Sequence, residues 1–325
     1  MKAVLCKAFG PPDSLVIEDI EPLKPGKGQV VISVRACGVN FPDTLIIQGK
    51  YQSRPPFPFI PGSEVAGIVK EVGEGVDHVK VGGRVIAFTG TGGFAEEAIA
   101  DAPKLIPMPG NMDFTTASAF VLVYGTSYHA LKDRAQLQAG ETLLVLGAAG
   151  GVGLAAVEIG KVMGAHVIAA ASSDEKLEIC KQHGADEVIN YASEDLKERI
   201  KQLTGGKGVD VAFDPVGGDY AEPVLRSMAW GGRFLVIGFA AGDIPRIPLN
   251  LPLLKVYSIV GVFWGSFMER DPKHGQENLM ELLALLAEGK LKPRVSATYP
   301  LEQVANALND LMERKVTGKA VLVTS

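Results

Sequence analysis

Over the first 120 residues, apolar positions come in short runs of β character: VLCKAF, LVIEDI, QVVISVRA, EVAGIVKEV, RVIAF and FAEEAIA. Breaks rich in Pro and Gly, such as GPPD, PLKPGKG and RPPFPFIPG, separate them. Short strands punctuated in this way predict an antiparallel, barrel-like fold. From about residue 140 the pattern becomes strand, glycine turn, helix, repeated. ETLLVLG reads as a buried strand, GGVGLAAVEIGKVMG has helical spacing, AHVIAAA is a second strand, and SDEKLEICKQHG is a polar helix. DEVIN, SEDLKERIKQLTGGKG, VDVAFD, GDYAEPVLRSMAW and GRFLVIGF continue the alternation, which predicts a parallel sheet with helices on both faces, an α/β architecture. Two amphipathic helices, near 276–288 and 301–314, and two short strands, VSATYP and KAVLVTS, close the chain. The last segments are expected to return to the first domain. A chain of 325 residues is too long for one ordinary core, so two domains are expected.

Composition narrows the classes. Net charge is −5 and no block of Lys and Arg is longer than two, which argues against a nucleic-acid or anionic-membrane surface. MKAVLCKAFG alternates like a strand and lacks the apolar core of a signal peptide. No apolar run approaches the ~18 residues that span a bilayer. Cys6, Cys37 and Cys180 are an odd, scattered set with no disulfide framework, which points to a reducing compartment. The expectation is a soluble cytoplasmic protein.

The sharpest motif is LLVLGAAGGVGLAAVEIG, residues 143–160, which follows a strand and opens a helix, the context a dinucleotide fingerprint requires. In a G-x-G-x-x-G register the three positions fall on Ala148, Gly150 and Gly153. Gly150 would admit a pyrophosphate, Gly153 would let helix pack on strand, and the helix N-terminus would offer free N–H groups. The other reading is a Gly-rich turn of structural use alone. About 20 residues on, where an NAD enzyme places an acid, stand Ser172, Ser173 and then Lys176. Small hydroxyls and a cation suit a 2′-phosphate, hence NADPH. Asp174 and Glu175 complicate this, although as first residues of a helix they complement its dipole. Tyr191 offers a further hydroxyl.

A metal site is not expected. There is no C-x-x-C or H-E-x-x-H, and His78, His129, His166, His183 and His274 show no ligand spacing. With no metal and no evident His–carboxylate pair, stabilising an alkoxide is hard. Hydride addition to a conjugated acceptor is easier, because the charge spreads over an enolate or hydroquinone oxygen.

The segments RACGVNFPDTLIIQGKY, PFIPGSEVAGIVKEVG, TSYHAL, AAGGVG, GADEVINY, GVDVAFDPVGG, GGRFLVIGF and RKVTGKAVL resemble the zinc-free medium-chain dehydrogenases/reductases, in their NADPH:quinone oxidoreductase (ζ-crystallin-like) branch, over essentially the whole chain. Where zinc-dependent members of that superfamily read CGVCHTD and PGHEGAG, this chain has CGVNFPD and PGSEVAG, with Asn40 and Ser63 at the ligand positions.

The resemblance implies a GroES-like β-barrel catalytic domain, 1–120 completed by 261–325, and a Rossmann NADPH-binding domain, 121–260, with the cofactor in a cleft. It implies an NADPH-dependent, zinc-independent reductase of quinones or other α,β-unsaturated carbonyls. The alternatives are a 2-enoyl-CoA reductase, a non-catalytic NADPH-binding protein and a zinc alcohol dehydrogenase.

By the same resemblance, Asn40 and Asp43 match an N-x-x-D near the nicotinamide, and Thr126 matches a nicotinamide contact. Gly150, Gly151 and Val152 match the pyrophosphate turn, and Ser172, Lys176, Tyr191 and Arg314 match the 2′-phosphate pocket. Gly238 and Phe239 match residues along the nicotinamide ribose, and Phe263 and Trp264 match the segment that bonds the carboxamide. The strand 256–264 is implied to pair across a homodimer axis.

Asn40, and with it Tyr51, would orient the acceptor oxygen, with the proton drawn from solvent. Each also has a structural reading. Asn40 reads as a turn-capping amide, Asp43 as an N-cap or structural acid, and Tyr51 as an aromatic lid on RPPFPFIPG. Glu64, in the PGSE turn, reads as structural.

Overall fold

The computed structural model describes residues 1–110 and 112–324. The chain divides into two compact units, Met1–Leu122 with Pro293–Ser325, and Val123–Lys292.

The first unit is built on a seven-stranded sheet. Val295–Pro300, Lys319–Val323, Gln29–Val39, Glu64–Val72, Arg84–Phe88 and Ile106–Pro107 follow one another across it, and Glu97–Asp101 also pairs with Gln29–Val39. All pairs are antiparallel except Val295–Pro300 with Lys319–Val323. The eleven-residue strand Gln29–Val39 divides its free edge between two partners, residues 29–33 to Glu97–Asp101 and residues 36–39 to Lys319–Val323. A register shift between Val34 and Ala36 leaves Arg35 as an extra residue of this strand between the two partners, as bulges do at barrel corners. Its alternating apolar residues enter a core with Val65, Val69, Phe94, Leu308 and Leu322.

That register decides what meets at the end of the strand. Gly38 pairs with Glu64 on one side and Val321 on the other, and Val39 pairs with Ala320. Glu64 and Lys319 are thereby brought to the residue that follows, Asn40. Gly38 admits no side chain, since a Cβ there would lie 2.1 Å from the Ser118 carbonyl oxygen.

The second unit holds a six-stranded, wholly parallel sheet. Its order is Glu187–Asn190, His166–Ala171, Thr142–Leu146, Val209–Asp214, Met228–Val236, Ser258–Gly261. The direction of winding reverses between Thr142–Leu146 and Val209–Asp214. Open α/β sheets bind ligands beyond the carboxyl ends of the strands flanking such a reversal.

The second unit runs to Lys292, whereas the sequence reading returned the chain to the first domain from 261. Segment 261–292 stays because Ser258–Gly261 completes the parallel sheet and helix Pro272–Ala287 is tied to the segment before it. Tyr128 and Lys132 donate to Glu281, and Asn278 donates to Asp133 at 2.8 Å.

Candidate functional site

In the second unit, strand Thr142–Leu146 ends in a turn that opens helix Gly151–Val162. The tight turn falls on Gly147, at φ +55, one residue before the Ala148 of the expected register. Gly150 is the N-cap, and a Cβ on it would meet only the Gly147 oxygen, at 3.3 Å. No side chain caps the helix, so the N–H groups of Gly151, Val152 and Gly153 have neither an intrahelical partner nor a cap. Ser127 Oγ donates to the Val152 carbonyl at 2.8 Å and pins this first turn. An uncapped array of N–H groups at the positive end of a helix fits a pyrophosphate.

At the end of the neighbouring strand, His166–Ala171, Lys176 Nζ donates to Ser172 Oγ at 3.4 Å. Ser173 caps helix Asp174–Gln182 by accepting from Lys176 N. The Tyr191 N–H bonds the Ala171 carbonyl at 3.1 Å, which sets Tyr191 beside Ser172, and its ring lies 4.5 Å from that of Tyr220. Asp174 accepts from Asn190 at 2.8 Å, and both Asp174 and Glu175 are exposed in the first turn of their helix. Ser172, Lys176 and Tyr191 are thus brought together. Arg314 belongs to the first unit, where it follows helix Val304–Met312 at φ +60.

Beyond the next strands, Asp214 is buried and its Oδ1 accepts from the Val216 and Gly217 N–H groups, each at 2.8 Å. Gly238 N bonds the Asp214 carbonyl and Ala240 N bonds that of Pro215, so Gly238 and Phe239 are held against this loop. Phe263 is 55% exposed and precedes helix Trp264–Arg270, whereas Trp264 is buried. The Trp264 ring lies against Gly125, where a Cβ would come within 2.7 Å of it, and Thr126 is the next residue.

The first unit holds a buried polar cluster. Asn40, Asp43, Glu64 and Lys319 are all at most 4% exposed. Asn40 caps the short helix Phe41–Ile46 in a capping box, its N–H donating to Asp43 Oδ2 at 2.8 Å. Lys319 Nζ donates to Asn40 Oδ1, to the Val39 carbonyl at 3.0 Å and to Glu64 Oε2 at 3.5 Å. Asn40 Nδ2 donates to the Gly38 carbonyl at 3.2 Å and to Glu64 Oε2 at 3.3 Å. Glu64 Oε1 accepts from Leu122 N at 2.9 Å.

An ammonium only donates, so the amide oxygen of Asn40 must face Lys319. Both amide hydrogens then point into the cluster. They meet the Gly38 carbonyl and Glu64 Oε2. Asp43 keeps one oxygen, Oδ1, without a hydrogen-bond partner. Burial raises its pKa to about 7, and the Glu64 charge adds to this against the lowering from the Asn40 N–H, Lys319 and, least, the Gly62 amide. Tyr51 is half-buried on the first unit's core, and burial followed by the Asp43 charge raises its pKa.

Asn40 and Ser63 offer no thiolate or imidazole, and a lysine ammonium is bonded to both Asn40 and Glu64. These residues do not fit a divalent cation. Among the described residues, no three His, Cys, Asp or Glu side chains group as metal ligands. The second unit holds several His–carboxylate pairs that the sequence does not display, and two of them are short. His129 Nδ1 and Asp133 are 2.7 Å apart, and His183 Nδ1 and Glu158 are 2.6 Å apart. The His129 ring stacks on Phe267 at 4.0 Å, and Glu158 also accepts from the Tyr124 hydroxyl and Lys292 N. These contacts tie helices together.

Residues 26–110 match the alcohol dehydrogenase GroES-like domain, and residues 151–287 match the zinc-binding dehydrogenase model. A quinone oxidoreductase-like protein 2 homolog of Nematostella vectensis is 42% identical over 327 residues, covering 99% of this chain and 89% of its own. The chain belongs to the quinone oxidoreductase group of the medium-chain dehydrogenases/reductases. Its two units are the GroES-like and Rossmann-like domains of that superfamily. Among solved structures, a probable oxidoreductase from Mycobacterium abscessus is 40% identical, with a TM-score of 0.89, covering 99% of this chain and 98% of its own. Escherichia coli quinone oxidoreductase, solved in complex with NADPH, is 31% identical with a TM-score of 0.94, covering 99% and 100%.

Lys319 was missed in the sequence. The signal was present: a lone charge opens KAVLV, a strand whose other residues are buried or half-buried.

Proposed function

We propose that this protein is an NADPH-dependent, zinc-independent reductase of quinones or other α,β-unsaturated carbonyls. The observation that carries the reading is the Ser172–Lys176 contact at the end of strand His166–Ala171. A hydroxyl and a cation stand where an NAD enzyme has a carboxylate. Quinones as acceptors follow from the names of the relatives.

Bound NADPH supplies the reducing equivalent. The N–H groups of Gly151, Val152 and Gly153 receive the pyrophosphate. Ser172, Lys176 and Tyr191 receive the 2′-phosphate, and Thr126, Gly238, Phe239, Phe263 and Trp264 orient the nicotinamide and its ribose. Asp43, raised by burial to about 7 and with Oδ1 unpartnered, holds the proton that the acceptor needs, and its charge is felt by the Tyr51 hydroxyl. Asn40 positions Asp43 through its N–H.

The protein works as a homodimer through strand Ser258–Gly261. That strand ends the parallel sheet, and Val256, Ile259 and Phe263 are 57%, 42% and 55% exposed there. An apolar sheet edge invites pairing with a second copy. Among the described residues no helix is long and apolar enough to cross a membrane. Three free, buried cysteines suit the cytoplasm, and a net charge of −5 argues against a nucleic-acid partner.

The test is NADPH oxidation by chelator-treated enzyme, followed at the reduced nicotinamide band. The panel holds a 1,4-quinone, an α,β-unsaturated ketone, a 2-enoyl-CoA and a simple aldehyde, each repeated with NADH. Turnover of quinone or enone with NADPH preferred supports the reading. Turnover of the thioester alone moves the protein to acyl-CoA chemistry. Tight NADPH binding with no turnover makes it a binding protein.

A further inference from the structure

The buried cluster of the first unit has one cation and two carboxyl groups. Lys319, Glu64 and Asp43 are 4%, 0% and 1% exposed, so water compensates none of them. Buried charges are tolerated only when paired and hydrogen-bonded. Lys319 makes its ion pair with Glu64, whose carboxylate also accepts from Asn40 Nδ2 and Leu122 N. Asp43 Oδ2 accepts the Asn40 N–H, the Gly62 amide acts on the carboxyl more weakly, and among the described residues Oδ1 has no hydrogen-bond partner. One positive charge is shared out between two acids, and geometry gives it to Glu64.

We propose that Lys319 is a positioning residue for the acceptor site: it locks the Asn40 amide and pairs with Glu64, leaving Asp43 as the carboxyl that takes up and gives up a proton. The proposal rests on the reading above that Asp43 serves an NADPH-dependent reduction. Reduction of a quinone to its hydroquinone by NADPH consumes one proton. That proton leaves Asp43 Oδ1 for the acceptor oxygen, and the carboxylate left behind takes up one proton from the medium after the product departs, which is the proton the overall reaction consumes.

Lys319 acts on Asp43 in two ways. By bonding Asn40 Oδ1 and the Val39 carbonyl it fixes the backbone whose N–H holds Oδ2. Its charge also favours the Asp43 carboxylate, in opposition to burial and to Glu64. Besides these two, the groups whose charge couples to Asp43 are the Cys37 thiol and the Tyr51 hydroxyl. Both titrate at higher pH than Asp43, raised by burial and by the Asp43 charge itself. Near neutrality the balance is therefore set by Lys319 against Glu64.

Lys319 lowers the Asp43 pKa and Glu64 raises it, and a nearby charge moves a carboxyl pKa by about one pH unit or more, so removing the two partners has opposite consequences. In Lys319→Met the Asp43 midpoint rises. In Glu64→Gln it falls, because the ammonium then has Asp43 as its only acid. Glu64→Gln, which keeps the shape of the side chain, is also the second variant should Lys319→Met fail to fold; its single amide oxygen keeps the contact with Lys319 and gives up the one with Leu122 N.

Two readouts on the full chain test this. The first is a titration of the ¹³C-labelled aspartate side-chain carboxyls by NMR, with the Asp43 signal identified by its loss in Asp43→Asn. The midpoint is expected near 7 in the wild type, about one unit or more higher in Lys319→Met and lower in Glu64→Gln. The second is the pH dependence of kcat with a 1,4-quinone, whose alkaline limb is expected to move the same way in each variant. Residues of merely structural use would lower activity in both variants without moving the midpoints apart. Midpoints that stay put or move together overturn the proposal, even if quinone turnover is normal. Midpoints that diverge in a protein that reduces no acceptor leave the tuning of Asp43 standing and defeat the reductase reading instead.

Discussion

Gly153 faces the Gly147 carbonyl so closely that a Cβ on it would lie 2.3 Å from the oxygen and 2.8 Å from Ala148 Cα. Both obstacles are backbone, and neither can rotate away. Gly153→Ala is therefore expected to push the first turn of helix Gly151–Val162 off the strand, at a cost of about 1–3 kcal/mol. Both the unfolding midpoint in denaturant and NADPH affinity should fall. Unchanged affinity, read by quenching of protein fluorescence, would show that this turn does not hold the cofactor.

The Ser172–Lys176 contact makes a separate claim about which cofactor is used. A charge-assisted bond to a 2′-phosphate is worth roughly 1.5–3 kcal/mol. Lys176→Ala should weaken NADPH binding by about 10- to 100-fold and leave NADH binding within a factor of about two. Equal losses for both nucleotides would place Lys176 outside the phosphate pocket.

Asp43 gives a dependence of stability on pH. Its carboxyl ordinarily titrates at 3.8, and burial in the native chain raises this to about 7. Between those values the unfolded chain has released the proton while the native chain keeps it. Its contribution to stability is full below about pH 4, declines as pH rises, and is exhausted above about pH 7. The whole change is of order 4 kcal/mol, from ~1.36 kcal/mol per pH unit. Asp43→Asn keeps an oxygen for the Asn40 N–H and removes the titration. Urea unfolding of both proteins at pH 4.5 and pH 8 should show the variant gaining on the wild type at the higher pH. A gap that does not change with pH would mean that Asp43 is ionised throughout.

The exposed edge strand predicts the state of assembly. Ile259 is 42% exposed on Ser258–Gly261. Ile259→Lys places a charge on the row that a second copy would cover. Sedimentation should report a dimer for the wild type and a monomer for the variant, with the fold preserved by circular dichroism. A wild type that sediments as a monomer would remove the dimer.

The order of elements was readable along the chain because its causes are local. Alternation at period two, glycine turns and amphipathic spacing name strands and helices without reference to distant residues, and Gly150 and Gly151 announce a helix start. Two boundaries moved for non-local reasons. The tight turn passed to Gly147, where φ is positive, and segment 261–292 stayed with the parallel sheet because Tyr128, Lys132 and Asp133 hold helix Pro272–Ala287.

What the sequence could not display is the buried cluster. Asn40, Glu64 and Lys319 are separated by 24 and 255 residues along the chain, and only the register of three adjacent strands brings them together. Sequence alone offered Asn40 as a group that orients the acceptor or caps a turn, and Glu64 as a structural acid. Tertiary structure used up Asn40's amide hydrogens, gave Glu64 the cation, and left Asp43 with an unpartnered oxygen. Proton affinity depends on which charges are close and on how little water reaches them, and both are decided only once the strands have paired.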